Sequence, residues 1–435
     1  MAPRQPPAAT GPPVLGQTLR FAQDPFALVE DLADEHGPVF RMQVLGLGEF
    51  YTLTNPDHFE QALVSDRDAF EKNEDFRIAF GEMLLSTEGD QWQRQRDLLG
   101  EFFTPSRIRG YADRMVELTE RQLDRWTDDD RRSLHDSMAA IALDNLFGTL
   151  FDRPLDPDGD EHLRRAANDI NLWFKPTSFV LPRWVPTPSR HRFRDAVATV
   201  ETEAERLLDE RTRGTDSEDL LSMLVALRAD DEAAFTDDEI LDQVLGLVFA
   251  GHVTTALTLA YALHQLGTHE DVRDRVHAEL EEVLGGDRPS LADLDELSVI
   301  ENVLDETLRA YPSVHTIPRR TTRPVTVDGY RLEANTRAHL SVWQVHHDEA
   351  FWDDPFAWRP SRWRGTTTRE KGYAFVPFGA GPRLCLGRRF ARLEAMLVLA
   401  TVCQDYLIEP EAELTFEPMS TTQPADGVPV RVYRR

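Results

Sequence analysis

The spacing of apolar residues predicts a largely helical protein. In five segments, apolar side chains recur every three or four positions with charged residues between them, as on helices that pack one face against a core. These segments are residues 24–35, 114–126, 195–211, 269–284 and 301–311.

Alternating apolar and polar residues predict a smaller amount of β-structure. Residues 39–44 and 51–54 alternate with a period of two, and Gly46 and Gly48 between them suit a hairpin turn. Shorter runs of this kind cover residues 325–327, 330–332 and 339–341. The sequence therefore predicts a mainly α fold with a minor β-sheet region (α+β).

One long helix is expected to lie in the middle of the molecule. Thr236 and Glu239 have the spacing of a capping box, which marks the start of a helix. Residues 244–266 are apolar on nearly all sides, so the helix should continue to about Gly267 and reach roughly 45 Å. Polar residues interrupt this stretch and no basic residues flank it, which favours a buried helix over a membrane span.

The chain of 435 residues shows no repeat and no linker-like stretch after its first dozen residues. The motifs discussed below are spread from Trp92 to Cys385 and are expected to share one site. We therefore predict a single domain over residues 1–435, with residues 1–12 flexible. The first seven residues contain no apolar stretch, which predicts neither a signal peptide nor a membrane anchor, and hence a cytoplasmic protein.

Acidic residues outnumber basic ones by 76 to 48, which gives a formal net charge of -28. Such a charge repels nucleic acids and anionic membranes, so we expect neither as a partner. Only Lys72, Lys175 and Lys371 are lysines. An acid excess with few lysines resembles the proteins of salt-accumulating halophiles, in which ions screen a self-repelling surface; an acidic bias from a GC-rich genome is the alternative. The halophilic reading predicts a fold that low salt destabilises.

The most informative segment is residues 378–387, FGAGPRLCLG, which fits the pattern FxxGxRxCxG. Its glycines allow the backbone to close tightly around the sulfur of Cys385. Residues 389–397 are predicted to form a helix, whose free N–H groups and positive dipole end favour a thiolate. A thiolate that donates strongly to iron is the ligand that oxygen-cleaving haem proteins require.

Cys385 taken alone is compatible with two other roles. A free cysteine often packs as a small hydrophobic side chain in a core. A zinc site needs further ligands, but the other cysteine is Cys403, and the chain has no CxxC pair or histidine cluster at zinc spacing. Neither interpretation accounts for the glycines and Arg383, so haem ligation is favoured.

These residues resemble the signature of the cytochrome P-450 superfamily, and the similarity runs from about Gly11 to Val432. The resemblance implies a soluble, bacterial or archaeal type of protein. Haem b (iron protoporphyrin IX) would lie between the long central helix and the loop that carries Cys385, its axial thiolate. The resemblance also implies that Phe378, Gly379 and Gly387 contribute to cofactor binding.

By the same resemblance, Ala250, Gly251 and Thr254 are the catalytic residues of the central helix. The first two are small enough to lie against a porphyrin, and Thr254 can bond its own preceding turn and loosen the helix. A close helix crossing would produce the same pattern without catalysis. Val253 stands where the family commonly has a proton-relaying acid, so we expect Val253→Glu to raise the coupling of electron input to product. His252 titrates near neutrality, but adjacent helix positions face different directions.

Two further groups of residues resemble the family: a charge network and a set that would bind the haem propionates. Glu306 and Arg309 lie at i and i+3 on one predicted helix; the family implies that they form a structural network with Arg362 beneath the haem. Haem carries two propionates, and the implied propionate-binding residues are these: Trp92, Arg96, Arg383 and Arg319. Arg320 is adjacent to Arg319 and could take its place.

The implied function is a haem-thiolate monooxygenase that inserts one atom of O₂ into a hydrophobic small molecule. The segments expected to line the pocket, residues 76–83, 173–180, 245–249, 313–317 and 419–422, are mostly apolar. Because no dinucleotide-binding motif is present, electrons should come from an external donor, a ferredoxin with its reductase. A basic patch for it would comprise Arg94, Arg107, Arg388, Arg389 and Arg392. A peroxide-dependent oxygenase or isomerase of the same fold, and a non-catalytic haem sensor, are the alternatives.

Overall fold

The computed structural model describes residues 4–175, 181, 184–214, 217–228, 235–419 and 421–435. Most of these residues are helical. The α-helices are Thr18–Gln23, Pro25–His36, Pro56–Glu60, Asp75–Phe80, Gly89–Gly100, Pro105–Gly110, Ala112–Leu123, Leu134–Leu150, Glu161–Asp169, Pro188–Thr212, Leu220–Arg228, Asp237–Leu247, Val253–Thr268, Glu270–Leu284, Ser298–Ala310, Val342–His347 and Arg388–Asp405. Shorter 3₁₀ and π segments are Gln61–Ser65, Arg67–Ala69, Glu101–Phe103, Ile170–Phe174, Val248–His252, Pro360–Trp363, Thr368–Ala374 and Gly381–Arg383.

The strands of the described residues form four small sheets. They are β1 Val39–Val44, β2 Gly48–Leu53, β3 Phe70–Glu71, β4 Asp130–Ser133, β5 Thr316–Thr321, β6 Val325–Val327, β7 Tyr330–Leu332, β8 Arg337–Ser341, β9 Tyr406–Pro410, β10 Phe416–Pro418, β11 Thr422–Pro424 and β12 Pro429–Arg434. The largest sheet has the order β1-β2-β8-β5-β3, in which β2 and β8 are parallel and the other neighbours antiparallel. The order β4-β12-β9 forms a second sheet, while β6-β7 and β10-β11 are two-stranded.

The central helix begins where its capping box predicts. The Thr236 hydroxyl accepts from the N–H of Glu239, and the Glu239 carboxylate accepts from the N–H of Thr236, both at 3.1 Å. The helical run continues from Asp237 to Thr268, and 78% of its most apolar 18-residue window is buried inside the protein. A length and hydropathy sufficient for a membrane span are thus accounted for by burial in the core.

Apolar helix faces surround the central helix. Its second half, Val253–Thr268, packs against the helices Leu134–Leu150, Ser298–Ala310 and Arg388–Asp405. Tyr261 lies in this core and is fully buried. Burying each large apolar side chain contributes on the order of 2 kcal/mol, so this helix is held from several sides, and the residues beside it are fixed in position.

The structure confirms the predicted fold class, mainly α with minor β, and the predicted hairpin of β1 and β2. The helix predicted over residues 195–211 begins earlier, at Pro188. There, Thr187 caps the helix by accepting from the N–H of Arg190, and proline suits the first helical position. The single domain and the flexibility of residues 1–12 stay predictions; Arg4 and Ala8 form isolated β-bridges with Tyr330 and Arg41.

Candidate functional site

Residues 378–387, called here the cysteine loop, turn the side chain of Cys385 toward a cavity. The N–H of Cys385 donates to the carbonyl of Phe378 at 2.9 Å, which closes the loop. Gly379 and Gly381 have φ angles of 71° and 66°, a region that other residues rarely enter. A Cβ atom at Gly381 would also lie 2.2 Å from the carbonyl oxygen of Leu63. These two glycines are therefore required by the backbone itself.

Gly387 is different. Its φ is -80°, and a Cβ atom there would meet no other atom within 4 Å in the described part of the chain. The glycines on which the loop backbone depends are thus Gly379 and Gly381, and Gly381 is missing from the predicted cofactor-binding set although the motif contains it. The open space beside Gly387 borders the same cavity as the thiol, so a bound group can use it.

Burial raises the pKa of the Cys385 thiol. The N–H groups of Gly387 and Arg388 and the charge of Arg96 act in the opposite direction without offsetting the burial. The start of the helix thus favours the thiolate, as predicted, but burial has the larger effect on the thiol. A bound metal cation removes a thiol proton outright, so a metal ion bound here would convert the thiol to a thiolate.

A cavity of about 570 Å³ brings distant parts of the chain together. The exposed surface of Cys385 opens into it. The other predicted site residues that line it are Ala250, Gly251, Thr254, Trp92, Arg96, Arg319, Arg383, Phe378, Gly379 and Gly387. The three residues of the predicted charge network lie outside it. One cavity therefore has the cysteine loop, the small residues of the central helix and a group of cations in its walls.

The central helix is distorted where it meets the cavity. Residues Val248–His252 form a π-helical turn, and the Thr254 hydroxyl donates to the carbonyl of Ala250 at 2.7 Å. The loosening predicted from Thr254 is thus present. Gly251 has a packing role as well, because a Cβ atom there would lie 2.7 Å from Cδ1 of Leu146.

His252 and Val253 point away from this face. His252 is 1% exposed, and burial lowers its pKa to about 3, so it is neutral at physiological pH. Val253 is 3% exposed and packs in the apolar core. Neither side chain lines the cavity. A glutamate at position 253 would therefore enter an apolar environment, which weakens the expectation that it improves coupling.

Several basic side chains line the same cavity, close to Trp92. Trp92 and Arg96 lie one turn apart on the helix Gly89–Gly100. Arg96 has no side-chain hydrogen bond or ion pair with any of the described residues, and burial lowers its pKa. Arg383 pairs with Glu88, and its guanidinium carbon lies 5.7 Å from the centre of the Trp92 ring.

The structure also separates Arg319 from Arg320. Arg320 turns away from the cavity and pairs with Glu71 at 2.5 Å. Arg319 is 8% exposed, lines the cavity, and its Nε has no hydrogen-bond partner in the described structure. Burial lowers the pKa of Arg319 to about 10, which leaves it charged at neutral pH. Of these two arginines, Arg319 is therefore the one available to an anionic group in the cavity.

Lys72 is a further cation that the sequence analysis missed. Its Nζ donates to the carbonyls of Leu84 and Thr87 at 2.7 and 3.0 Å and lies 5.8 Å from the centre of the Trp92 ring. Burial lowers its pKa to about 7, and Arg383, Arg319 and Arg96 add to the effect. The signal in the sequence was the rarity of lysine in an arginine-rich chain, but the burial of Lys72 and its position beside Trp92 depend on the tertiary fold.

The predicted charge network is present, with Glu306 and Arg309 fully buried and Arg362 at its partly exposed edge. The Glu306 carboxylate accepts from Arg309 Nε at 3.0 Å and Nη2 at 2.9 Å, from Arg362 Nε at 2.9 Å, and from Trp363 Nε1 at 3.0 Å. Arg309 also donates to backbone carbonyls, among them that of His346 at 2.9 Å. Glu306 and Arg309 are both 0% exposed. This network ties the helix Ser298–Ala310 to the segment that leads into the cysteine loop.

The predicted pocket segments contribute an aromatic group to the cavity. Phe249 on the central helix lies 6.0 Å from Phe76 and 5.5 Å from Phe174, centre to centre, and all three line the cavity. Ser313, Ile317 and Met419 from the other predicted segments also line it. Residues 176–180 and 420 of these segments lie outside the described residues.

The donor set fits haem better than zinc. Within the residues that the structure describes, no three His, Cys, Asp or Glu side chains gather where they could hold a metal ion. One cysteine thiol facing the cavity can instead supply the single protein ligand that a porphyrin iron needs. Arg96 and Arg319, which have no acidic partner in the described part of the chain, can pair with two propionates, and the space beside Gly387 leaves room for the ring.

Comparisons with known proteins agree with this arrangement. The chain matches the family model described as Cytochrome P-450 over residues 6–429. Cyclooctat-9-en-7-ol 5-monooxygenase of Streptomyces melanosporofaciens is 30% identical over 423 residues, which cover 94% of this chain and 92% of that protein. Pentalenene oxygenase of Streptomyces avermitilis is also 30% identical, with 94% and 93% covered. The fold superposes with a TM-score of 0.87 on a retinoic acid-bound cyanobacterial cytochrome P-450, 23% identical, over 100% of both chains.

Proposed function

The chain belongs to the cytochrome P-450 family and is a monooxygenase that uses protoporphyrin IX haem, and we propose that Cys385 is the axial ligand of its iron. One observation carries this proposal. The thiol of Cys385 shares a cavity with the small residues of the central helix and with Arg96 and Arg319, neither of which has an acidic partner among the described residues. When bound, haem supplies the activation of O₂ and the insertion of one oxygen atom into the substrate.

We assign the positioning of the haem to three sets of residues. Arg96, Arg319 and Arg383 would bind the propionates, with Trp92 beside them and Lys72 as an additional donor. Phe378, Gly379 and Gly387 would shape the proximal side of the site. The network of Glu306, Arg309 and Arg362 would hold the cysteine loop in place, because its buried charges have few alternative arrangements.

Thr254 is the proposed proton-handling residue of the distal side. Because its hydroxyl donates to the carbonyl of Ala250, its oxygen remains free to accept a hydrogen bond from a water molecule in the cavity. Ala250 and Gly251 would leave the space that water and O₂ occupy. His252 is excluded from this role because it is neutral and lies outside the cavity.

The proposed substrate is a mainly apolar small molecule. Phe76, Phe174 and Phe249 offer aromatic surface next to Thr254 and Ala250 in the same cavity. The names of two relatives describe the oxidation of cyclooctat-9-en-7-ol and of pentalenene. We extend this to a terpene-like substrate for the present chain.

An external donor must supply electrons, and we propose a ferredoxin with its reductase, in the cytoplasm. Of the five arginines predicted to attract it, Arg94 pairs with Glu239, and Arg392 pairs with Glu301 and Asp305. Arg107, Arg388 and Arg389 are exposed, and we assign the docking surface to them.

The decisive experiment compares the wild type with Cys385→Ser. The reduced wild type exposed to carbon monoxide should show the red-shifted absorption of a thiolate adduct, and the variant should not. Turnover of a terpene library is then measured with ferredoxin, its reductase and NAD(P)H, and separately with hydrogen peroxide alone. Product only with peroxide would favour a peroxide-dependent enzyme, and binding without any oxidation would favour a sensor.

A further inference from the structure

A loop outside the central helix bonds to the helix backbone beside the cavity. The Ser313 hydroxyl donates to the carbonyl of Thr254 at 2.9 Å. Ser313 follows the helix Ser298–Ala310, whereas Thr254 lies in the first turn of Val253–Thr268, the second half of the central helix. Both residues line the cavity. The bond therefore joins two separate segments at the residue to which proton handling is assigned.

Thr258 adds a second hydroxyl to the same carbonyl, and we call the side chains of Ser313 and Thr258 with this carbonyl the hydroxyl cluster. The Thr258 hydroxyl oxygen lies 3.0 Å from the Thr254 carbonyl oxygen and 2.9 Å from the Ser313 hydroxyl oxygen. Two hydroxyl protons serve these three contacts, so at least one hydroxyl donates to the carbonyl when both bond within the cluster. Ser313 and Thr258 are 7% and 6% exposed. Because water has little access to them, these bonds are stronger than the same bonds at the surface.

The loop that carries Ser313 is itself fixed by other bonds. The N–H of Thr422 donates to the carbonyl of Ser313 at 3.0 Å, and the Thr422 hydroxyl donates to the carbonyl of Pro312 at 2.6 Å. The same stretch of chain follows Arg309 of the buried charge network and continues into the strand that carries Arg319. Ser313 therefore holds the central helix against a support that is anchored independently of that helix.

The central helix is loosened at this place. The π-helical turn Val248–His252 comes directly before it, and the carbonyls of Ala250 and Gly251 accept from the hydroxyls of Thr254 and Thr255 at 2.7 and 2.9 Å. Hydroxyls that bond to the preceding turn weaken and bend a helix. A loosened turn can adopt more than one position, and a contact from another segment selects one of them.

We propose that Ser313 is a positioning residue that keeps the Thr254 hydroxyl in the cavity. This inference rests on the proposed function and deepens it, because it names the contact that orients the proton-handling residue. Ser313 does not relay protons itself, since its partner is a carbonyl oxygen, which has no proton to pass on. It fixes the loosened turn, so that the Thr254 oxygen stays where a water molecule in the cavity can bond to it.

The test uses the haem-loaded, reduced protein with carbon monoxide as a probe of the distal side. The infrared stretch of bound carbon monoxide responds to nearby hydroxyl groups because their dipoles polarise it. The wild type should show one main band. In Ser313→Ala, the loss of a bond worth about 1 kcal/mol should raise the population of other Thr254 positions about fivefold and add a second band. Ser313→Thr keeps the hydroxyl and should keep the single band.

A double-mutant cycle with Thr254 separates positioning from general support of the fold. Thr254→Ala should shift the band, because it removes the hydroxyl beside the bound probe. In the Thr254→Ala background, Ser313→Ala should cause no further shift, since the group that it positions is gone. If Ser313→Ala does not retain haem, Ser313→Cys replaces it in the cycle, because its thiol is a weaker donor of similar size.

Two matched controls remove a hydroxyl without breaking the link between the loop and the helix. Thr258→Val takes the other hydroxyl from the cluster but leaves Ser313 bonded to the Thr254 carbonyl. Thr316→Val removes a hydroxyl from the wall of the same cavity, where it donates to the carbonyl of Leu340 at 3.3 Å. Both variants should keep the single band.

The outcomes separate this proposal from the proposed function. An unchanged band in Ser313→Ala, a shift just as large in the Thr254→Ala background, or an equal shift in Thr258→Val would overturn the positioning role. A Thr254→Ala band identical to that of the wild type would overturn it too, because Thr254 would then not face the probe. In each case, a normal thiolate–carbon monoxide absorption would leave the haem assignment standing. If that absorption is absent from the wild type, the proposed function itself fails.

Discussion

His346 accepts a hydrogen bond through Nε2 from the N–H of Val376 at 2.9 Å. Its Nδ1 lies 3.1 Å from the carbonyl oxygen of Arg309. Because Nε2 accepts, Nδ1 carries the proton, and burial keeps the pKa of this ring well below its usual value. One neutral imidazole therefore connects the buried charge network to the segment that enters the cysteine loop.

His346→Phe should weaken haem retention. The substitution leaves the N–H of Val376 buried without a partner, which costs about 1–3 kcal/mol. The measurement is the haem content per protein after gel filtration, together with the carbon monoxide spectrum. His346→Gln, whose amide can accept the same bond, should recover part of the loss. His347→Phe is the control, since His347 is buried but bonds to Trp343 in its own helix; equal losses in both phenylalanine variants would contradict this role.

Glu306→Ala should abolish haem retention and lower stability strongly. Removing this carboxylate leaves Arg309 and Arg362 as buried cations without their acid, a change that typically costs about 3–5 kcal/mol. Denaturant unfolding and the Soret absorbance report the two effects. Glu301→Ala, on the same helix but at a half-exposed position, should cost less than about 1 kcal/mol. A Glu306→Ala protein with a full Soret band would show that the network does not hold the site.

Arg319→Ala should reduce haem affinity about tenfold or more, because a buried guanidinium–carboxylate bond is worth on the order of 1.5–3 kcal/mol. Arg320→Ala should leave the affinity nearly unchanged, since Arg320 pairs with Glu71 outside the cavity. Transfer of haem to apomyoglobin gives the dissociation rate for each variant. A larger effect from Arg320 would reverse the assignment.

The buried carboxyl of Glu394 should make the stability of the protein depend on pH. It is 1% exposed, and burial raises its pKa to about 8 from an ordinary value of 4.5, with a small opposing contribution from Asn145. The folded state therefore binds the proton more tightly than the unfolded state. Its stabilising contribution is complete below about pH 4.5 and is lost as the pH rises to 8, at about 1.4 kcal/mol per pKa unit.

Glu394→Gln should remove that loss. Relative to the wild type, the variant should gain stability between pH 5 and pH 9, as measured by urea unfolding at both values. Glu282→Gln, at an exposed helix position, should show no such gain. If the difference between wild type and Glu394→Gln is the same at both pH values, the carboxyl does not titrate with a raised pKa.

The acidic surface predicts a dependence on salt. A formal charge of -28 repels itself across the surface, and this repulsion is screened when the Debye length falls from about 10 Å at 0.1 M to about 3 Å at molar salt. The melting temperature should therefore rise between dilute buffer and molar KCl. An unchanged melting temperature would refute the halophilic interpretation.

The sequence alone could predict features that neighbouring residues determine. The capping box at Thr236, the back-bonded Thr254, and the spacing of Glu306 and Arg309 all act within one or two helical turns, so periodicity reveals them. The cysteine motif is equally local, because its glycines, Arg383 and Cys385 lie within ten residues. Fold class and the candidate haem site followed from these patterns and from the resemblance that they carry.

Only the tertiary structure determines which of several similar residues contact each other or line the same cavity. Arg319 and Arg320 are equivalent in the sequence, and only the pairing of β3 with β5 places Glu71 beside Arg320. The Lys72 ammonium lies over the Trp92 ring, and His346 accepts a hydrogen bond from the N–H of Val376, although neither pair is adjacent in the sequence. Thr52 and His339 become neighbours through a parallel strand pair that joins residues far apart. Local patterns specify each element, but burial and partnership depend on how the elements pack, because every buried polar group must find its partner in three dimensions.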